Sequence, residues 1–229
     1  MGQLSVSNDL NDRYVFRLTD DTGMFQHSKF GVPNPAYGYT TDDNARALIM
    51  SVLLYERYKK KEYLDLIYRY SSFLLYAQNA EGRFRNFMSY DRKWLEEEGS
   101  EDCFGRCIWA LGFALSNKYT PHDVKCALKY LLDKALPNVS LLSHLRGKAY
   151  SIIGLACFDD MVTKQLISNM AESFCSQYDN YRDGEWKWFE NTVTYCNGVL
   201  PWSLFAAYRA TGDKRFCSVA EESLDFLEG

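Results

Sequence analysis

The stretch Thr41-Asp42-Asp43-Asn44-Ala45-Arg46-Ala47-Leu48-Ile49-Met50-Ser51-Val52-Leu53-Leu54-Tyr55 decides the fold. Ala45, Leu48, Ile49, Val52 and Leu53 recur at the 3.6-residue spacing of a helix with one buried face. Thr41 is a good cap, and Asp42-Asp43 place negative charge where the helix dipole favours it. A helix is predicted from about Asp42 to Lys60. A partner from about Glu62 to Gln78 follows, closed by Glu81-Gly82. The Lys59-Lys60-Lys61 run falls at the end of the first helix, where cations suit the dipole.

The same pattern continues outward. A second pair is predicted from Glu101 to about Asn117, through Ile108-Trp109-Ala110-Leu111, and from the Thr120-Pro121 start to about Ala135. A third runs from about Ser143 to Phe158 and from Met161 to Tyr178. A fourth runs from about Asn197 to Ala210, breaks at Thr211-Gly212-Asp213 and resumes to the end. Four helical hairpins make an all-α chain. The first helix of each pair opens on a polar cluster: Asp42-Asp43-Asn44, Glu101-Asp102, Ser143-His144-Leu145-Arg146 and Tyr195-Cys196-Asn197. The intervals are 60, 42 and 53 residues, a loose structural repeat. If these helices run parallel in an inner ring, their starts meet at one end. Two long loops, Asn79 to Ser100 and Asp179 to Tyr195, follow second helices and are rich in aromatics, including Trp94, Trp186 and Trp188. Long loops in compact domains tend to be functional. Convergent polar groups within an aromatic wall describe a ligand pocket.

Composition narrows the function. Of 229 residues 47% are hydrophobic and 16% aromatic, which describes a globular chain. The aromatic surplus suits a cleft for sugars, whose apolar ring faces pack on aromatic rings. A net charge of −4 without a basic face argues against nucleic acid. No apolar run is long enough to span a membrane. The polar start, Met1 to Asp12, has no signal-peptide core, so a cytoplasmic protein is expected. The seven cysteines read as buried thiols. Cys103 and Cys107 lie four apart without further ligands nearby, so no metal is expected. No phosphate-binding loop, dinucleotide fingerprint or nucleophile elbow is present, and no cofactor is expected.

Carboxylates are the chemical resource. Glycoside hydrolysis needs one protonated and one ionised carboxyl group. Glu190, beside Trp188-Phe189, reads as the acid, because desolvation favours its protonated form. Asp43, at a helix start, reads as the ionised partner, with Asp42 and Glu101 as the other candidates. The alternative for Asp42 and Asp43 is a capping role. Arg46, Arg106 and Arg146 sit three or four residues into inner helices, where they line the cavity or pair with these acids. His27 and His144 are the histidines nearest the clusters.

Two blocks then carry a resemblance: Asp20-Asp21-Thr22-Gly23-Met24-Phe25-Gln26-His27-Ser28, and Gly38-Tyr39-Thr40-Thr41-Asp42-Asp43-Asn44-Ala45-Arg46-Ala47. Three more fit it: Gly99-Ser100-Glu101-Asp102 with Gly105-Arg106 and Trp109-Ala110-Leu111-Gly112; Trp186-Lys187-Trp188-Phe189-Glu190 with Thr194-Tyr195; and Asn197 with Leu200-Pro201. Together these resemble an uncharacterised bacterial family with a six-hairpin, (α/α)6 glycosidase-like toroid, found alone or behind glycosyltransferase domains. The resemblance implies a carbohydrate ligand. The expected binding site, beside the carboxylates, is drawn from His27, Tyr39, Arg46, Asp102, Arg106, His144, Arg146, Trp186, Trp188, Tyr195 and Asn197. Cys196-Asn197-Gly198 replaces the family's Asp-Asn-Ala, removing one carboxylate. The family also continues for two more hairpins. The expectation is therefore a segment, 1–40, packed on a four-hairpin domain, 41–229, with open toroid edges. Those edges are expected to show Leu48, Val52 and Tyr55, or Leu204, Ala207 and Tyr208, and to drive self-association unless the 1–40 segment covers them. Glycoside hydrolysis is the leading function. A non-catalytic sugar-binding or accessory module is the alternative, and a sugar epimerase, which wants two inner-helix histidines, is third.

Overall fold

The computed structural model describes residues 10–229. Positions 1–9 of the expected N-terminal segment lie outside the described residues. The chain starts with a short helix α1 (Arg13–Arg17). Strands β1 (Ser28–Lys29) and β2 (Val32–Pro33) form a small hairpin, and β3 (Tyr39–Thr40) leads into the helices. Four hairpins follow: α2 (Thr41–Tyr58) with α3 (Lys61–Ala77), α4 (Glu101–Ser116) with α5 (His122–Val139), α6 (Leu145–Leu155) with α7 (Met161–Tyr181), and α8 (Val199–Thr211) with α9 (Lys214–Glu228). Between α3 and α4, strand β4 (Phe87–Met88) pairs antiparallel with β3, Tyr39 opposite Met88.

Helices α2, α4, α6 and α8 pack side by side in chain order as an inner row, each backed by its own partner. This is the arc of an (α/α) toroid. The inner row is tightest between α4 and α6. Gly105 and Gly112 on α4 face Gly147 and Gly154 on α6, both pairs seven residues apart and so on one face of each helix. A Cβ on Gly112 would lie 2.0 Å from the Gly154 carbonyl oxygen, and one on Gly105 would lie 2.4 Å from that of Gly147. Only hydrogen at these positions lets the two backbones touch.

The helix ends differ from the sequence reading in instructive ways. Thr41 is the first helical residue of α2, not its cap, and its hydroxyl donates to the Arg85 carbonyl at 2.6 Å. The start of α2 is satisfied from the loop after α3: Asn86 accepts from Thr41 N through its main-chain carbonyl and from Asp42 N through its side chain. Asn86 is itself buried. Of the three lysines, only Lys59 ends α2, in the left-handed conformation, while Lys60 and Lys61 begin α3. Pro121 is the residue before α5, which starts at His122.

The segment 12–25 and Tyr39 pack on α3. Phe16 stacks on Tyr63, Tyr63 donates to Asp12, and Thr19 bonds Tyr70 at 2.8 Å. Phe25, Tyr39, Phe73 and Met88 form a small second core there. The expected edge residues Leu48, Val52, Leu204 and Ala207 are fully buried in the main core, and only Tyr55 and Tyr208 remain half-exposed. The larger apolar exposure on these inner helices belongs to Leu53 and Trp202. Among the described residues no helix is long and apolar enough to cross a membrane.

Candidate functional site

Parallel inner helices bring their N-terminal turns to one end, and there an ion-paired network joins three of them. Asp42, in the first turn of α2, receives a 2.7 Å hydrogen bond from Arg106 of α4. The other arm of Arg106 lies 3.8 Å from Asp102, one turn earlier on the same helix. Tyr195, in the loop before α8, donates its hydroxyl to Asp102 at 2.8 Å. Its carbonyl accepts from Arg146 Nε of α6 at 2.9 Å, and the guanidinium lies over the Tyr195 ring. Arg146 also holds Glu190 and donates to Thr194 at 2.7 Å. Its Nη1 lies between the two Glu190 oxygens, bonding Oε1 at 2.9 Å while Oε2, at 2.8 Å, has no aligned hydrogen bond.

Burial gives this network its character. The side chains of Arg106 and Arg146 are 10% and 6% exposed, so each needs its counter-ion close by. Burial opposes the charge on Arg106, but Tyr150, Asp42 and Asp102 overcome it and raise its pKa above that of an ordinary arginine. Burial and the bond to Asp102 push Tyr195 up to about 12. Tyr150, beneath the Arg106 guanidinium, is raised by burial and by a hydrogen bond with Cys196. Cys196 adopts φ 48° and sets its sulfur 3.9 Å from Arg106. The neighbouring Asn197 keeps a buried Oδ1 without a partner, as does the Nε of Arg106.

Below the network the inner face turns aromatic. Trp109, three residues after Arg106, stacks on Tyr150 at 5.8 Å and meets Trp202 edge-on at 5.4 Å. Trp109 lines two openings. One, about 360 Å³, is bounded by Arg46, Met50 and Leu53 of α2. The other, about 560 Å³, lies toward the C-terminal ends of α4, α6 and α8. This larger cavity touches none of the carboxylates of the network, and its own charged lining is Asp159, Lys164 and Arg209.

The structure redistributes several residues singled out from sequence. Asp42, Asp102, Arg106, Arg146, Glu190 and Tyr195 meet in one network. Asp43 does not join it. It accepts from Thr40 at 2.6 Å and pairs with Arg46, as a first-turn acid does. Asp43 and Glu190 thus hold separate arginines. Glu101 caps α6 across the helix interface, accepting from Ser143 N at 2.8 Å, His144 N at 2.7 Å and the Ser143 hydroxyl at 2.8 Å. Burial would raise its pKa, but these bonds outweigh that and hold it below the usual value. Trp188 is fully buried between Phe189 and Phe226, away from the inner face, and Trp186 packs edge-on to Phe226 while donating to the Glu190 carbonyl. Tyr39 is a core residue bonded to Asp20 at 2.5 Å. His27 sits on the β1–β2 hairpin against Tyr37, and His144 is the exposed residue preceding α6. Cys103 and Cys107 are buried, and no group of three potential metal ligands occurs among the described residues. Sequence reasoning missed Trp109, Tyr150 and Trp202 as site residues. The available signal was that Trp109 follows Arg106 by three, on one helical face.

No family model matches the chain, and no curated protein matches it. Solved structures do. Cellobiose 2-epimerase from Bacillus thermoamylovorans superposes with a TM-score of 0.73 at 12% identity, over 94% of this chain and 68% of that one. A sugar epimerase from a ruminal bacterium gives 0.69 at 14% identity, over 94% and 67%. These likenesses establish the shared toroid fold.

Proposed function

We propose that this chain is a carbohydrate-active protein that holds an oligosaccharide along the inner face, beneath the Asp42–Arg106–Asp102 network. One observation carries the reading: the Trp109, Tyr150 and Trp202 rings lie directly below a row of fixed carboxylate, guanidinium and phenol groups. A sugar ring has an apolar C–H face and an equatorial belt of hydroxyls. Aromatic rings suit the first, and rigid charged acceptors and donors suit the second. The two superposed structures are both sugar-converting enzymes by description, which agrees with the ligand class.

Binding is the function the geometry supports best, because each carboxylate of the site already has a cationic or hydroxyl partner. Hydrolysis by a carboxylate pair is the second reading, favoured by Asp42 and Asp102 meeting at one guanidinium. That pair replaces Asp43 with Glu190, whose partners are separate. Epimerisation by paired histidines has less support, since His27, His122 and His144 all lie outside the inner row.

Titration of tryptophan fluorescence with neutral disaccharides, cellobiose among them, tests the reading. Saturable binding that weakens at least about tenfold in Trp109→Ala is expected, from the loss of an aromatic platform. Absence of binding across a broad oligosaccharide panel would refute it. Chromatography of the same mixtures separates the two readings. A released monosaccharide, absent with Asp102→Asn, establishes hydrolysis, and unchanged sugar leaves binding alone.

A further inference from the structure

The cations of the upper network each have a carboxylate. Arg46 pairs with Asp43, Arg106 with Asp42 and Arg146 with Glu190. The larger cavity is different. Helix α6 has 11 residues against 16 for α4, so its chain turns away early and leaves room between α4 and α8. Into that room, about 560 Å³, come Trp109 and Trp202 from above, Phe113 and Phe158 at the sides, and Lys164 and Arg209. Lys164 is paired with Asp159. Arg209 has no carboxylate within reach among the described residues. Its position in the last turn of α8 favours its charge but does not neutralise it fully. Two cations and one carboxylate leave this floor positive in a chain whose net charge is −4.

We propose that the floor takes the acidic group of a uronic-acid residue, so that the ligand of the inner face is an acidic oligosaccharide. This rests on the carbohydrate reading above and names its substrate class. Trp109 lines both openings, so a sugar lying across it reaches the cavity without leaving the aromatic wall. A planar carboxylate matches the two parallel N–H groups of a guanidinium, and Arg209 is the group that lacks such a partner. Lys164 is already neutralised by Asp159, so the uncompensated charge is that of Arg209. A neutral sugar uses the same wall but leaves Arg209 to solvent.

The test compares digalacturonate with the matching neutral disaccharide by calorimetry, at low and moderate salt, on the wild type and on Arg209→Gln. The acidic sugar should bind about tenfold more tightly, the worth of one charge-assisted hydrogen bond. Added salt should shrink that preference. Arg209→Gln should abolish it and leave neutral binding unchanged. Arg209 is exposed at the helix end, so the variant folds, and an unaltered melting curve verifies this. Equal affinity for the two sugars, or a preference that survives Arg209→Gln, overturns the acidic assignment and leaves the carbohydrate reading standing. Binding of neither sugar, nor of any in the broad panel, overturns the carbohydrate reading and this inference with it.

Discussion

Replacing Gly112 with alanine isolates the contact that holds the inner row together. In an isolated helix the change is favourable by about 0.8–1 kcal/mol, because alanine is the better helix former. Here the added carbon would sit 2.0 Å from the Gly154 oxygen, 2.6 Å from its carbonyl carbon and 2.9 Å from its Cα. All three are backbone atoms, so no side chain can rotate aside. Reaching ordinary contact would part α4 from α6 by about 1.4 Å, at a seam where both helices are buried. Overpacking costs about 1–3 kcal/mol, and a backbone clash belongs at the upper end. The net expectation is a loss of about 2 kcal/mol. For a chain of this size that lowers the midpoint of a thermal melt by about 4–8 °C. Circular dichroism melts, with urea titration as a second measure, read this directly. Gly154→Ala strains the same seam, so the double variant should lose less than the sum of the two. An unchanged or raised melting temperature in Gly112→Ala would mean that the helices part easily, and the account of the seam would be wrong.

Removing Asp42 should cost about 3 kcal/mol by leaving Arg106 charged and buried, whereas Asp43→Asn breaks a more exposed pair with Arg46 and should cost at most about 1 kcal/mol. Chemical denaturation of the two variants measures the contrast, and equal losses would count against the network. Glu101 titrates below its unfolded value of 4.5, so its contribution is complete above that pH and is lost as pH falls through the lower folded value. Glu101→Gln should therefore flatten the acid limb of the stability profile, and a limb of unchanged slope would disprove the capping role. Tyr195 is raised from 10.0 to about 12, so its bond to Asp102 stabilises fully below pH 10 and is lost as pH rises through 12. A phenolate absorbance step near pH 12 that Tyr195→Phe removes is the expected signature. Glu190→Gln should destabilise by about 1–2 kcal/mol, because the amide keeps one hydrogen bond to Arg146 and loses the charge. A thermally neutral variant that loses turnover would restore Glu190 as a catalytic acid.

Element order and the approximate extent of each helix were legible because apolar spacing follows the core-facing stripe of each helix, which the packing leaves unchanged. The caps were not. Asn86 serves α2 from the next loop, and Glu101 serves α6 from a neighbouring helix, so neither lies beside the helix end it satisfies. The two aromatic loops misled for a related reason. Trp188 and Phe189 look like a platform in sequence, yet they fill the space between α7 and α9, while Trp94 packs on Phe73 and Tyr76 of α3. The aromatic of the proposed sugar platform, Trp109, lies within the apolar run Ile108-Trp109-Ala110-Leu111 and reads there as core. The glycine seam was visible as Gly105 with Gly112 and Gly147 with Gly154, but only the pairing of α4 with α6 gives those spacings a meaning.

The network follows from the polarity of the inner row. Aligned helix starts gather partial positive charge at one end, which draws carboxylates to their first turns. Helices α2 and α4 meet this alike, with Asp42 four residues before Arg46 and Asp102 four before Arg106, so each helix carries an acid and a base on one face. Helix α6 carries Arg146 with no acid in its first turn, and α8 starts without either charge. The shortfall is met from outside the helices: Glu101 caps α6, Glu190 neutralises Arg146, and Tyr195 bridges to Asp102. The loop before α8 is therefore held by two inner helices, and its Cys196-Asn197 end is fixed beside Arg106. Cys196→Asp would add a third acid near a guanidinium already facing two. With the thiol there, the balance at Arg106 stays between Asp42 and Asp102.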